Sequence, residues 1–199
     1  MNESAKSRIF LILSLLAALF AAACSSDPGD PPLKGAKIGG AFTLVDQDGR
    51  TVTDRDFLGR YRIAYFGFSH CPDACPTDLA VIGQGLTLFE KKDAERAAKV
   101  VPTFVSVDPE RDTPAVMKEY VASFHPRLTG LTGTPQQVAD AARVHAVYYS
   151  KDEVQPGGGY NVNHPRYVIL FGPDGKPIAF LPADQGAEAV AAELDRWVR

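Results

Sequence analysis

Apolar and polar residues follow two spacings along the chain, one typical of strands and one typical of helices. Short runs of branched and aromatic side chains predict three buried strands, at residues 62–68, 100–107 and 166–171. Apolar residues three and four apart predict helices that begin at Pro76, Pro114, Pro135 and Ala187. The first of these helices is expected to continue to about Ala98.

Turn residues and caps complete this pattern. Two short alternating runs flank Asp48-Gly49, which predicts an N-terminal β-hairpin. A turn at residues 173–175 leads to a further strand at 178–181, and residues 144–149 are expected to form a short strand. Thr134 and Gln137 occupy the positions of a capping box at the start of one helix.

Strands that alternate with helices, followed by a closing hairpin and a last helix, predict an α/β domain of three layers around a central mixed β-sheet. One strand runs directly into Cys71-Pro72-Asp73-Ala74-Cys75 and then into a helix. This strand–CxxxC–helix unit, with a terminal hairpin, resembles the thioredoxin-like arrangement at the level of the fold.

The N-terminal residues differ from the rest of the chain. Basic residues precede a 15-residue apolar run, Ile9 to Ala23, which is shorter than the ~20 residues that span a bilayer. Small residues then precede Cys24, as in a bacterial lipoprotein signal. We expect a signal or anchor at 1–23, lipidation of Cys24, a flexible tether at 24–34 and a domain at 35–199, exported to the cell envelope and attached to a membrane. An uncleaved anchor is the alternative.

Composition narrows the function. The chain has 199 residues, is 45% hydrophobic and has a net charge of -3, with acidic and basic residues interspersed. No basic stripe is present, so nucleic acid is not expected as a partner. Of three cysteines, Cys24 is assigned to lipid, which leaves Cys71 and Cys75 as a pair. One pair is not the disulfide framework of a small secreted fold.

The cysteine pair lies where a strand meets a helix N-terminus. Free N–H groups and the positive end of the helix dipole favour thiolate over thiol, and thiolates serve soft-metal sites and redox centres. Inert core thiols and a small structural disulfide are the alternatives. We therefore predict a metal site or redox disulfide at Cys71 and Cys75.

A metal site needs a third ligand, and the chain has four histidines. His70 adjoins Cys71, but neighbouring side chains usually point apart. His125 is expected to cap a helix or face water, and His145 to pack or lie at the surface. His164 precedes a strand at a turn that faces the cysteine motif in thioredoxin-like domains, so it is the favoured ligand.

Several segments carry a resemblance to a known family. They are Gly39–Phe42, Tyr65–Pro76, Ser106–Pro114, Gly130–Gly133 and His164 before the last strand pair. In this order they resemble the Sco/SenC proteins, which are thioredoxin-like and membrane-anchored. The resemblance implies copper, as Cu(I) or Cu(II), bound by Cys71, Cys75 and His164.

The resemblance also implies partners and a function. We expect a copper chaperone, not an enzyme, that assists assembly of the binuclear copper site of cytochrome c oxidase. Its partners would be the copper-site subunit of the oxidase and a copper-donor chaperone. The alternative is a membrane-tethered thiol–disulfide oxidoreductase acting on the cysteines of that site. A peroxidase is disfavoured, since Phe68 stands where peroxiredoxins have threonine, and zinc fits an exchangeable exported site less well than copper.

One position departs from the family pattern. The family histidine commonly follows Asp and precedes Ser or Thr, but His164 lies between Asn163 and Pro165. The ligand is retained, while the groups that orient it are expected to differ. Asp73 either adds negative charge or forms the turn, and the loop at 108–112 either lines the site or is held by an Arg111–Asp ion pair.

Overall fold

The computed structural model describes residues 29–199. Its strands are β1 Thr43–Asp46, β2 Thr51–Thr53, β3 Tyr61–Gly67, β4 Val100–Ser106, β5 Thr129–Thr132, β6 Ser150–Lys151, β7 Val162–Asn163, β8 Val168–Phe171 and β9 Pro177–Leu181. Its α-helices are α1 Ala74–Lys92, α2 Ala94–Ala98, α3 Pro114–Ala122, α4 Pro135–Val144 and α5 Ala187–Trp197. Short 3-10 turns lie at Asp54–Phe57 and Ala183–Gln185.

A mixed sheet of seven strands, ordered β2-β1-β5-β4-β3-β8-β9, forms the centre of the domain. Strand β3 pairs parallel with β4 and antiparallel with β8, and β4 pairs parallel with β5. The small β6–β7 hairpin is a separate two-stranded sheet. These pairings confirm the predicted α/β class, the central mixed sheet and the N-terminal hairpin, in which β1 pairs with β2.

Strand β3 lies inside the sheet between β4 and β8, and every one of its residues is buried. Helix α1 packs against α5, and the two backbones approach closely at Gly85, where a Cβ atom would lie 2.7 Å from the Val190 side chain. Helix α3 packs on β5, and α4 packs on β1. The predicted capping box at Thr134 and Gln137 is present at the start of α4. The sheet and α1 therefore hold the end of β3 in a fixed position.

Two predicted elements were wrong. The helix expected to run to Ala98 ends at Lys92, because Asp93 leaves helical geometry and its side chain accepts the N–H of Arg96 to begin a second helix. The strand expected at 144–149 is absent, since α4 continues to Val144 and the chain then turns through Ala146, whose φ is 56°. The strand that forms is β6, just beyond this segment.

The compact unit spans Pro31–Arg199. Leu33 packs against the core and its N–H donates to the carbonyl of Ile178 at 2.9 Å, so the last residues of the predicted tether contact the domain. The predicted signal segment 1–23 and the predicted lipidation site Cys24 lie outside the described residues. Among residues 29–199, no helix is long and apolar enough to cross a membrane.

A buried cation is enclosed beside the sheet. Arg62 lies over the rings of Phe42, Phe57 and Phe171, at 5.1, 5.2 and 4.5 Å from their centroids. Its guanidinium donates to Nε2 of His145 at 2.7 Å, and His145 Nδ1 donates to the Ala141 carbonyl at 2.7 Å. The imidazole is therefore neutral, and burial together with the Arg62 charge lowers the pKa of His145 to about 3.

This neutral histidine should make the domain sensitive to acid. Between pH 6.5 and 3 the unfolded chain holds a proton on His145 that the folded chain lacks, so stability falls as the pH falls through this window. From pH 6.5 to 5 the expected loss is about 2 kcal/mol. Urea unfolding at both pH values should show this loss in wild type and a smaller one in His145→Gln. An equal loss of stability in both proteins would show that His145 is not the source of the acid sensitivity.

Candidate metal centre

The two cysteines lie at the carboxyl end of β3. The strand ends at Gly67, a short loop carries Cys71, and α1 places Cys75 in its first turn. Both thiols are free, Cys71 half-buried and Cys75 fully buried. Gly67 leaves room for the second thiol, because a Cβ atom at this position would lie 2.7 Å from Cys75 Sγ. The backbone of the strand thus forms the floor of the thiol site.

His164 completes the cluster. One ligand atom each from Cys71, Cys75 and His164 lie within 4.8 Å of one another, and Cys75 Sγ lies 3.4 Å from His164 Nε2. His164 directly follows β7, which ends at Asn163, and it lines the same cleft as Cys71. The three residues predicted as ligands are therefore brought together.

The ring of His164 is oriented by its neighbours. Nδ1 donates to the carbonyl of Pro165 at 2.9 Å, which leaves the lone pair of Nε2 facing the thiols. The rings of Phe68 and Tyr65 meet the imidazole edge-on at 5.9 and 6.5 Å between centroids. Burial lowers the pKa of His164, which favours the neutral form that a metal needs.

The expectation of a thiolate with a low pKa was wrong for Cys75. Burial raises the pKa of this thiol to about 12, although the N–H of Phe68 hydrogen-bonds the sulfur and opposes the rise. The dipole of α1 does not overcome the cost of burying an isolated negative charge. Cys71 Sγ, nearer the surface, accepts the N–H of Cys75 at 3.4 Å. A cation that replaces the proton would remove this burial cost, because the charge would then be paired.

The loop before Cys71 is tied to the loop after β4 by a buried carboxylate. Asp112 is 0% exposed and accepts hydrogen bonds from the N–H and hydroxyl of Ser69 and from the hydroxyl of Ser106. The predicted ion pair between Arg111 and Asp108 is present within the same loop. The 108–112 segment therefore supports the cysteine loop, and sequence analysis had not assigned this role to Asp112.

A second supporting group was also missed. Asp78, one turn after Cys75, is 2% exposed and accepts from the Tyr65 hydroxyl at 2.7 Å and from the Arg166 guanidinium at 2.7 and 3.1 Å. In the sequence, Asp78 looks like an ordinary polar position of an amphipathic helix. Its position in the first turns of the helix that carries Cys75 is the sequence feature that could have indicated this supporting role.

The other three histidines lie apart from the cluster. The side chain of His70 is 51% exposed and contacts the Ser69 hydroxyl. His145 packs in the core, as expected. The prediction for His125 was wrong, because it is 5% exposed, with Nε2 at 3.5 Å from a Glu90 carboxylate oxygen.

The two residues that flank His164 make different contacts. The amide of Asn163 turns away and donates to Asp152 at 2.5 Å, while the carbonyl of Pro165 orients the imidazole. Asp73 is exposed and stands at the N-cap of α1 without a capping hydrogen bond from its side chain. In this chain the carbonyl of Pro165 therefore holds the histidine, and the amide of Asn163 does not.

A family model described as SCO1/SenC matches residues 30–199. The chain belongs to the SCO1/SenC family. Protein SCO1 homolog 1, mitochondrial, of Arabidopsis thaliana is 37% identical over 169 residues, covering 85% of this chain and 49% of the relative. Protein SCO2, mitochondrial, of Saccharomyces cerevisiae is 38% identical over 166 residues, covering 81% and 54%. The chain therefore spans about half the length of these curated SCO relatives.

Solved Sco structures share the fold. ScoI of Bradyrhizobium japonicum with copper bound is 40% identical, with a TM-score of 0.74, covering 81% of this chain and 99% of that one. Yeast Sco1 with copper bound is 36% identical, with a TM-score of 0.74, covering 81% and 88%. The thioredoxin-like fold and the family resemblance are confirmed by these matches.

The donor set fits a soft ion. Two thiolates and an imidazole suit Cu(I), and imidazole also suits Cu(II). Cys75 Sγ and His164 Nε2 lie 3.4 Å apart, and the three ligand atoms all lie within 4.8 Å of one another. Donors this close together could hold one ion in common.

Proposed function

We propose that the protein is a copper chaperone that binds one copper ion through Cys71, Cys75 and His164. The observation that carries this proposal is the convergence of the three ligand atoms within 4.8 Å at the end of β3. The copper-bound Sco structures with the same fold support it. Copper is the cargo of such a protein, so the site has to release the ion as well as hold it.

The burial of the ligands suggests an order of release. Cys71 is half-buried and His164 is half-buried at a cleft of about 240 Å³, while Cys75 is fully enclosed. A partner's ligands can therefore replace Cys71 and His164 first, with Cys75 holding the ion until transfer is complete. Oxidation of Cys71 and Cys75 to a disulfide would remove two of the three ligands and so prevent binding.

The proposed partner rests on the family resemblance, and the proposed location rests on the N-terminal sequence. We propose delivery to the copper-site subunit of cytochrome c oxidase, with supply from a copper-donor chaperone. We also propose that the domain is tethered to a membrane of the bacterial cell envelope through a lipid on Cys24. The apolar run that ends in Ala21-Ala22-Ala23-Cys24 supports the tether.

A copper titration tests the proposal. A soluble fragment comprising residues 31–199, under reducing conditions, should bind about one Cu(I) in competition with a chromophoric chelator. Loss of one neutral ligand should weaken the affinity of His164→Ala at least about tenfold. His125→Ala is unsuitable as a control because His125 is buried, and His70→Ala because His70 contacts the Ser69 hydroxyl in the cysteine loop. Tyr148→Ala removes a ring that is 90% exposed and outside the ligand cluster, so it is the control and should keep wild-type affinity. Equal affinity in wild type and His164→Ala would exclude the three-ligand site.

The second candidate is a thiol–disulfide oxidoreductase acting on the cysteines of the oxidase copper site. The observation in its favour is the unequal burial of the pair, because the half-buried Cys71 could attack a substrate disulfide and the buried Cys75 could resolve the mixed disulfide. Reduction of a disulfide peptide at the same rate by wild type and His164→Ala, without copper, would favour this candidate over the chaperone.

A further inference from the structure

An ion pair ties the histidine loop to the cysteine helix. Arg166 follows His164 by two residues, and its guanidinium makes a two-point contact with Asp78, from Nε at 3.1 Å and from NH2 at 2.7 Å. Asp78 follows Cys75 by one helical turn on α1. The pair therefore bridges the two chain segments, 88 residues apart in sequence, that supply the ligands of the proposed copper site.

This ion pair has one enclosed partner, Asp78, and one partner, Arg166, whose side chain is 54% exposed. Exposed pairs contribute little, because water screens both charges. Asp78 is 2% exposed, and its carboxylate also accepts the Tyr65 hydroxyl at 2.7 Å. Two-point contacts between arginine and a carboxylate fix direction as well as distance. The Tyr65 ring meets the imidazole of His164 edge-on, so the same buried carboxylate positions a group in contact with the ligand.

The histidine segment has a second anchor on its other side. Tyr160, four residues before His164, lies between two cations, with Arg111 at 3.6 Å and Lys151 at 3.9 Å from its ring centroid. Residues 152–159 of the hairpin between β6 and β7 are exposed. The segment that carries the ligand thus has contacts on both sides of His164, and the Arg166–Asp78 ion pair connects it with the helix of Cys75.

We propose that Arg166 and Asp78 are positioning residues that hold the His164 imidazole in place for copper before the ion arrives. This inference rests on the proposed copper-binding function. A ligand that is ordered in the metal-free protein does not have to be ordered on binding, which improves affinity without any new contact to the ion. Without the pair, the exposed segment should carry His164 away from the thiols.

The test combines a metal-free measurement with Cu(I) titration. In Arg166→Gln, the NMR contact between the His164 ring and the Cys75 methylene should be lost from the metal-free protein, and Cu(I) affinity should fall about tenfold. Arg166→Lys should restore part of the affinity through a single contact with Asp78. Arg143→Gln, which removes an exposed pair with Asp140, is the matched control and should match wild type in both measurements.

The His164→Ala background separates positioning from general destabilisation. There, Arg166→Gln should cause no further loss of affinity, because the group that it positions is gone. An equal loss in both backgrounds, or an unchanged ring contact in Arg166→Gln, would overturn the inference while the copper site stands. If wild type binds no Cu(I), the proposed function fails, and the ring contact in the metal-free protein still decides whether Arg166 positions His164.

Discussion

Replacement of Gly67 by alanine should weaken Cu(I) binding about 100-fold and lower the free energy of unfolding by about 3 kcal/mol. The added Cβ would lie 2.7 Å from Cys75 Sγ and 2.8 Å from the Phe104 ring, closer than nonbonded atoms approach. The thiol and the ring are both fully buried, so neither has free space to move into. Because the two thiolates dominate the attraction for a soft ion, moving one of them costs more than losing the imidazole.

Chelator competition and urea unfolding together check the effect of Gly67→Ala. The matched control is Gly159→Ala, since no heavy atom lies within 4 Å of the Cβ position there and the glycine does not need a positive φ. This control should leave both affinity and stability within error of wild type. A Gly67→Ala protein with normal Cu(I) affinity would show that Cys75 Sγ is free to move and that its enclosure does not define the site.

The two cysteines of the cluster could be predicted from sequence because their signals are local. Cys71 and Cys75 stand at a strand-to-helix junction that the hydrophobic pattern defines, and a CxxxC pair at such a junction has few structural explanations. His164 needed the fold, since its neighbours in sequence say only that it lies in a turn before a strand. The order of strands then brought that turn to the end of β3.

The supporting groups were missed because their roles depend on distant partners. Asp78 contacts Arg166 across 88 residues, and Ser69 contacts Asp112 across 43. A single sequence gives each of these polar residues an ordinary surface explanation. The thiol of Cys75 shows the same limit, because its high pKa reflects burial by the whole sheet, whereas the helix N-terminus was visible in the sequence.

The predicted end of α1 was wrong for a related reason. Apolar spacing continues from α1 into α2, so the pattern predicts one helix through Asp93. The side chain of Asp93 competes for the N–H of Arg96 and starts a new helix, which a count of apolar positions does not detect. Such breaks shift element ends while the order of elements, and therefore the location of the site, is unchanged.

The largest stability effect is expected at Asp112. Its carboxylate accepts the N–H of Ser69 at 3.1 Å and the hydroxyl of Ser106 at 2.6 Å, and it also binds the Ser69 hydroxyl. Asp112→Ala would leave a buried cavity and several donors without an acceptor. Each unsatisfied buried donor costs about 1–3 kcal/mol, so the free energy of unfolding should fall by about 4 kcal/mol. Urea unfolding of the reduced, metal-free protein measures this loss.

Two further variants distinguish the hydrogen bonds of Asp112 from its charge. Asp112→Asn keeps one acceptor oxygen and should recover about half of the loss, because the amide oxygen can still bind the Ser69 N–H. Asp140→Ala is the control, since this exposed carboxylate pairs with Gln136 and Arg143 of its own helix and its loss should cost less than about 0.5 kcal/mol. Asp112→Ala also frees the loop that carries Cys71, so its Cu(I) affinity should fall even where the protein is fully folded. A stable Asp112→Ala protein with wild-type affinity would show that the loop keeps its shape through Cys71 and the helix alone, and that the buried carboxylate is not what holds it.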